Sequence, residues 1–276
     1  MHIITFDIEE WFHINNSTWM PVDKWIELEK RVLSNTQIIL AFLKKHNIKA
    51  TFFVLGWIAE QYPELVKQIA DDGHDIGYHS YYHRLPKNQT KKEFENDLIS
   101  GINLLEHITD RKIIYYRAPN FSLKNKWMLD CLVDNGIKVS SSIKNPILHN
   151  GSNLPNNPFV FIKGNKTLIE LPLVTKNLII TKFAYSGSGY FRLLPLSMIK
   201  KMLADNSYQM LYFHPRDFDN NIPVPKEFGF IRNMLNTIGT SSVLPKLEKL
   251  TEHIKFISIS EALEELKAEE LERIEY

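Results

Sequence analysis

The chain has 276 residues but only one cysteine, no run of basic residues, no apolar stretch of membrane length and no low-complexity segment or internal repeat. Each absence removes a class of protein. The lone Cys131 rules out an intrachain disulfide framework, and its setting in the apolar stretch Trp127–Val133 reads as a buried helical thiol. Lys and Arg total 33 against 32 Asp and Glu, a net charge of +1 with no basic cluster, which argues against nucleic acid or an anionic membrane surface as the main partner. No segment approaches the ~18 consecutive apolar residues of a membrane span. Met1–Phe6 carries no charged leader, long apolar core or cleavage site and reads as a strand that begins at once, so the expected location is the cytoplasm. Asn-x-Ser/Thr triplets such as Asn165-Lys166-Thr167 carry no weight without a secretion signal.

What is present is a globular composition, 44% hydrophobic and 24% charged, enough to bury a large core. Short runs rich in β-branched and aromatic residues alternate with longer helical patterns. Strands are expected at Ile3–Phe6, Ala50–Leu55, Asp75–Tyr78, Ile113–Tyr116, Ile137–Ser142, Thr167–Leu171, Met210–Phe213 and Ile254–Ile257. Helices are expected at Lys24–His46, Trp57–Asp71 (stopped by Gly73), Lys91–His107, Lys126–Asn135 (stopped by Gly136) and Pro195–Asp205. Pro and Asn break the rhythm over Lys144–Asn165, which reads as a long loop or insertion. The alternation predicts an α/β fold with parallel strands, as a barrel or an open doubly wound sheet. Residues 1–260 are expected as one domain, and 261–276 as a charged helix packed on it or extending from it, where a homo-oligomer contact is the secondary possibility.

Polar residues gather just after the predicted strands, where parallel α/β architectures collect their catalytic groups. Thr5-Phe-Asp-Ile-Glu-Glu-Trp-Phe-His13 follows the first strand, Gly77-Tyr-His-Ser-Tyr-Tyr-His83 the third, Tyr116-Arg-Ala-Pro-Asn-Phe121 the fourth, and Leu211-Tyr-Phe-His-Pro-Arg-Asp-Phe-Asp219 a late one. Each has a plain structural reading: acids that cap helices, a surface histidine pair, a structural salt bridge, a loop histidine. Their coincidence at strand ends is the signal. Two histidines four apart can converge on one ion from one side of a helical turn. With a carboxylate, a spare carboxylate, an arginine and a distant histidine, they make a set suited to metal-assisted hydrolysis.

On these motifs, together with Ala50-Thr-Phe-Phe-Val-Leu-Gly-Trp57, Gly73-His-Asp-Ile-Gly77 and Ser188-Gly-Tyr-Phe-Arg-Leu-Leu-Pro195, the chain resembles the polysaccharide deacetylases of the NodB-homology group, carbohydrate esterase family four. Within it the chain is most similar to the branch of exopolysaccharide and surface-glycan gene clusters. The resemblance implies a distorted (β/α) barrel, often seven-stranded, and a metal-dependent N-deacetylase of carbohydrate. It implies Asp7 as catalytic base, Arg117 as the residue that orients it, His214 as general acid, and His79 and His83 as metal ligands. Two positions depart from the family pattern. Ile8 stands where many relatives have a metal-binding aspartate, which makes Glu9 the expected third ligand, ahead of Glu10. Ser140 stands where relatives place the aspartate that partners the catalytic histidine, and Asp217 or Asp219 could replace it.

The expected cofactor is one divalent ion, zinc first, with cobalt or nickel compatible with the ligand set. The expected substrate is a surface polysaccharide, an O-antigen-type glycan or a nucleotide- or lipid-linked precursor. Trp11, Tyr82, Asn120, Phe121, Arg192 and Arg216 are the expected sugar-binding residues. Two rivals stand beside this reading: hydrolysis of another amide, such as an allantoin-like cyclic amide or a formamide, and a glycan-binding protein without catalysis.

Overall fold

The computed structural model describes residues 1–13, 20–144, 154–178, 181–183, 185–204, 207–223 and 229–276. The middle of the expected 144–165 loop and Asp205, the last residue of an expected helix, lie outside these.

The first strand, β1 (His2–Ile8), is buried from Ile3 onward on both faces, as a central parallel strand must be. The expected helix over Lys24–His46 is instead a 3-10 turn, Val22–Glu27, followed by α1 (Val32–Lys45), with Leu28 extended between them. The break has a tertiary cause. Glu10 Oε1 accepts the backbone N–H groups of Arg31 (2.8 Å) and Val32 (2.9 Å), so a carboxylate from the end of β1 caps the start of α1.

After β2 (Thr51–Val54), the expected helix over Trp57–Asp71 divides into α2 (Gly56–Gln61) and α3 (Pro63–Asp71). Pro63 donates no N–H and disfavours helical geometry at Tyr62, which sits at φ −136°, ψ 59°. Then come β3 (Asp75–Tyr78), α4 (Lys91–Thr109), a short β4 (Tyr115–Tyr116), α5 (Lys126–Asp134) and a short β5 (Val139–Ser140).

The stretch read as a loop contains a strand, β6 (Phe159–Lys163), which turns through Gly164-Asn165 and pairs antiparallel with β7 (Lys166–Glu170). Gly164 has φ +56°, as a two-residue hairpin loop requires. A small hairpin, β8 (Lys176–Leu178) and β9 (Thr181–Phe183), precedes α6 (Ser188–Leu193), α7 (Leu196–Ala204) and β10 (Gln209–Phe213). The chain closes with α8 (Gly229–Thr237), α9 (Val243–Thr251), β11 (Phe256–Ile257) and α10 (Ile259–Glu265). The tail is therefore not one helix. Beyond α10, Glu272–Glu275 forms β12, parallel to β6, where Ile274 packs on the core and the Tyr276 ring meets Phe161 at 5.8 Å.

The strands run β10-β1-β2-β3-β4-β5-β7-β6-β12, with β11 beside β1. The stretch from β10 through β7 is the seven-stranded parallel set of the expected distorted barrel. Among the described residues no strand pairing joins β7 to β10. That seam is bridged by the Tyr208 hydroxyl donating to Pro172 O (2.9 Å) and by Tyr212 N donating to Ser186 O (3.3 Å). Gly187 lies so close to β10 that a Cβ would stand 2.2 Å from Tyr212 O. The carboxyl ends of β1, β3, β4, β5 and β10 carry Asp7 and Glu9, His79, Arg117, Ser140–Ser142 and His214 at one mouth. Among the described residues no helix is long and apolar enough to cross a membrane.

Candidate metal centre and active site

Arg117 organises the floor of the site. It is fully buried, its guanidinium lies between the rings of Phe53 (4.1 Å) and Phe121 (4.9 Å), and it donates to Asp7 Oδ1 (2.7 Å), Thr5 Oγ1 (2.8 Å), Ser141 Oγ (3.0 Å) and Ser141 O (3.2 Å). This grip fixes Asp7 through one oxygen. The other, Oδ2, stands 3.9 Å from His79 Nε2 and 3.9 Å from His214 Nε2. Burial pushes the Asp7 carboxyl up, but Arg117 first, then His79 and His214, outweigh it and hold it below the usual aspartate value.

The two expected metal-binding histidines do not share a helical turn. They lie on a bent loop after β3 in which Ser80 and His83 have left-handed backbones, φ +71° and +52°. Such conformations persist only where the surroundings enforce them. Here Asp97 on α4 accepts Tyr81 N–H (3.0 Å) and the Tyr78 hydroxyl (2.7 Å), while Gly56 N and Trp57 N donate to Ser80 O and Tyr81 O, both at 3.0 Å.

The resulting donor set fits a divalent cation. Ligand atoms of Glu9, His79 and His83 all lie within 4.8 Å of one another, and all three side chains are buried. His79 donates from Nδ1 to Arg117 O (2.8 Å), which leaves the Nε2 lone pair facing the site. Glu9 Oε2 is 3.1 Å from His83 Nε2 yet makes no aligned hydrogen bond among the described residues, as expected of two ligand atoms placed to share an ion. Burial, then the neighbouring His79, holds the His83 imidazole well below its usual pKa, and so in the neutral form that a ligand needs. Glu10, the alternative ligand, is committed to capping α1.

His214 has its carboxylate partner close in sequence. Its Nδ1 is 3.1 Å from Asp217 Oδ2, which also accepts His214 N–H (2.9 Å), and Nε2 faces Glu9 Oε1 at 3.3 Å. Asp217 is itself held by Ser188 Oγ (3.2 Å) and by Arg192 Nε at 3.5 Å. Although burial raises its carboxyl, the hydrogen bond and charge of His214 bring it down to about 2. Asp219, the other candidate, pairs instead with Arg31 (2.8 Å) and Asn35 (3.0 Å).

Beside Ser140, where the resemblance leads one to expect an acid, the neighbouring strand carries one. Glu170 on β7 is in register with Ser140, and its Oε1 accepts Ser142 N–H (2.7 Å) and Ile143 N–H (2.9 Å), pinning the loop that holds Arg117. Complete burial raises its carboxyl to about 7. A folded-state value above the unfolded one means that its stabilisation is full below about pH 4.5 and is lost as pH rises through about 7. Glu170→Gln, which mimics the neutral acid, is therefore expected to unfold at a higher temperature than the parent at about pH 8, a gain on the order of 3 kcal/mol. Thermal melts across pH check this: the gap between the two proteins closes in acid.

A cavity of about 510 Å³ opens over these groups, lined by residues that include Asp7, Glu9, His13, His79, His83 and His214. Of the expected sugar-binding residues, Asn120, Phe121 and Arg216 line it, with Arg216 Nη2 3.3 Å from Glu9 Oε1. Three do not. Trp11 is buried with its indole N–H on Glu29 O (3.0 Å), and Tyr82 is 38% exposed against Tyr81 and Trp25. Arg192 is committed to Asp217 and to Asn236 O (2.6 Å). Lining residues that the sequence did not single out are His13, Lys144, Ser188, Tyr212 and Asn236. Of these, His13, Ser188 and Tyr212 lie within the quoted motifs, whereas Lys144 and Asn236 carried no signal.

The chain matches the family described as polysaccharide deacetylase over residues 23–140 and a domain of unknown function (DUF3473) over residues 141–264. The first match contains His79, His83 and Arg117, while Asp7, Glu9 and His214 fall outside it. Among curated proteins it is 40% identical over 87 residues to a peptidoglycan-N-acetylglucosamine deacetylase of Bacillus cereus, covering 32% of each chain. It is 36% identical over 87 residues to a chitooligosaccharide deacetylase of Azorhizobium caulinodans, covering 31% of this chain and 41% of that one. These alignments thus span only about a third to two fifths of the relatives' length. Among solved structures, a Mycobacterium smegmatis protein provisionally described as a polysaccharide deacetylase superposes with TM-score 0.67 at 19% identity, over 99% of this chain and 91% of that one. A CE4-family pseudoenzyme of Bacillus anthracis superposes with TM-score 0.56 at 16% identity, over 100% and 69%. At such identities the likeness is one of fold.

Proposed function

We propose, from the match of residues 23–140 to the polysaccharide deacetylase family, that the chain is a metal-dependent hydrolase removing N-acetyl groups from a carbohydrate. One observation carries the reading: Asp7 is clamped through Oδ1 by Arg117 while Oδ2 stands equidistant, 3.9 Å, from a metal-ligand histidine and from the proposed acid His214.

Glu9, His79 and His83 would hold a divalent ion, zinc by preference, supplying Lewis-acid activation of water and of the acetyl carbonyl. Asp7 Oδ2 takes the proton of the attacking water, and Arg117 keeps that carboxylate ionised and aimed. His214 gives a proton from Nε2 to the nitrogen as the C–N bond breaks, and Asp217 holds its Nδ1–H. The products are acetate and a free amine. Phe121 and Tyr212 offer the aromatic faces of the cavity, and Asn120 and Arg216 the polar groups that read hydroxyls.

The test is a panel of N-acetylated sugar oligomers, nucleotide sugars, formamides and cyclic amides. Acetate released from the sugars alone supports the proposal. Formate release or ring opening in its place points to another amide hydrolase, and binding of the sugars without turnover to a catalytically silent glycan binder.

A further inference from the structure

Four histidines border the cavity, His13, His79, His83 and His214, and the partner of Nδ1 sorts three of them. His79 and His214 face acceptors there, Arg117 O and the Asp217 carboxylate. His13 is the reverse case. Its Nδ1 accepts Glu10 N–H at 3.1 Å, so the hydrogen of the neutral ring sits on Nε2. A ring in that form has no Nε2 lone pair for a metal and cannot be a fourth ligand. It can only donate. Yet Nε2 has no acceptor among the described residues, and the residue is 1% exposed.

The ring is also held in place. Its centroid lies 4.2 Å from Trp25, 4.8 Å from Phe12 and 5.1 Å from Trp57, the last two edge-on. Buried donors are almost always satisfied, and an exception beside a ligand-sized cavity asks for an acceptor from outside the described residues, which the cavity's occupant can supply. We propose that His13 is a substrate-binding residue whose Nε2–H donates to an acceptor oxygen of the acetylated sugar. The identity of that ligand rests on the deacetylase reading; the direction of the hydrogen bond does not.

Isotope-edited ring-nitrogen spectra of the metal-loaded protein are expected to show His13 protonated at Nε2, with that signal moving on titration with N-acetylglucosamine oligomers. His13→Leu is expected to lower kcat/KM for acetate release roughly 10- to 100-fold, mostly through KM, with metal content retained in the folded protein and a lower Tm, because the buried Glu10 N–H loses its acceptor. His13→Gln, which can place an amide N–H near the same point, is expected to recover most of that loss. An Nδ1–H ring, an Nε2–H signal unmoved by saturating oligomer, equal losses in the two variants, or metal lost from a folded His13→Leu protein would each overturn the inference. Failure of the deacetylase reading looks different: the His13 signal moves and no acetate appears.

Discussion

Asp7→Asn is expected to slow acetate release by roughly 10²–10⁴-fold while leaving the metal bound. Asparagine can keep its carbonyl oxygen on Arg117, where Oδ1 now sits at 2.7 Å, but an amide nitrogen in place of Oδ2 cannot accept a proton. None of the three ligand atoms is removed, so metal content should match the parent. The ionisation of Asp7 has a definite sign. Burial raises the carboxyl, but Arg117, His79 and His214 lower it further, so the folded value lies below the unfolded one. The stabilisation is present above about pH 4 and is lost as pH falls through the folded value, and the base is ready across the neutral range. The substitution also leaves a fully buried guanidinium without its counter-charge, so the variant should melt lower and be assayed well below its midpoint. Steady-state kinetics with metal analysis check this; near-normal turnover would remove Asp7 from the role of base.

His214→Ala is expected to cost a similar factor, roughly 10²–10⁴, because a poor leaving nitrogen then departs without a proton donor. Asp217→Asn should cause a smaller loss of the same kind. Asp217 holds Nδ1 of His214 at 3.1 Å and balances the charge of the imidazolium form, and with its carboxyl at about 2 it is ionised throughout the working range. Its pairing contributes stability above about pH 4, on the order of 2 kcal/mol, lost as pH falls towards 2. The Asn variant should therefore melt lower at neutral pH and converge with the parent in acid. Asp219→Asn is the control: that carboxylate serves Arg31 and Asn35, and its loss should weaken the fold with little effect on kcat.

The clustering of the candidate site residues was legible in the sequence because they follow apolar strands directly, and a parallel sheet brings the strand ends to one mouth. Asp7, Glu9, His79, His83, Arg117 and His214 all converge as the motifs imply. What was not legible depends on distant partners. Glu170 is a lone acid in an ordinary strand, and only the register with Ser140 gives it meaning. The split of the first expected helix depends on Glu10 reaching across from β1, and β12 exists because β6 offers an edge to the tail. Aromatics near the motifs misled for a physical reason: Trp11 and Tyr82 flank site residues in sequence, but the first is spent on Glu29 and the second on the Trp25 and Tyr81 rings. Arg192 likewise supports Asp217 and leaves the cavity wall to other residues.

The most direct test of the central claim is acetate release from N-acetylated sugar oligomers by protein stripped with chelator and then reloaded with zinc or cobalt, alongside Glu9→Gln treated the same way. The account predicts that release stops on stripping and returns on reloading in the parent. Folded Glu9→Gln should bind metal weakly and stay inactive. Full activity in the stripped parent, or tight metal binding with normal turnover in Glu9→Gln, would contradict it.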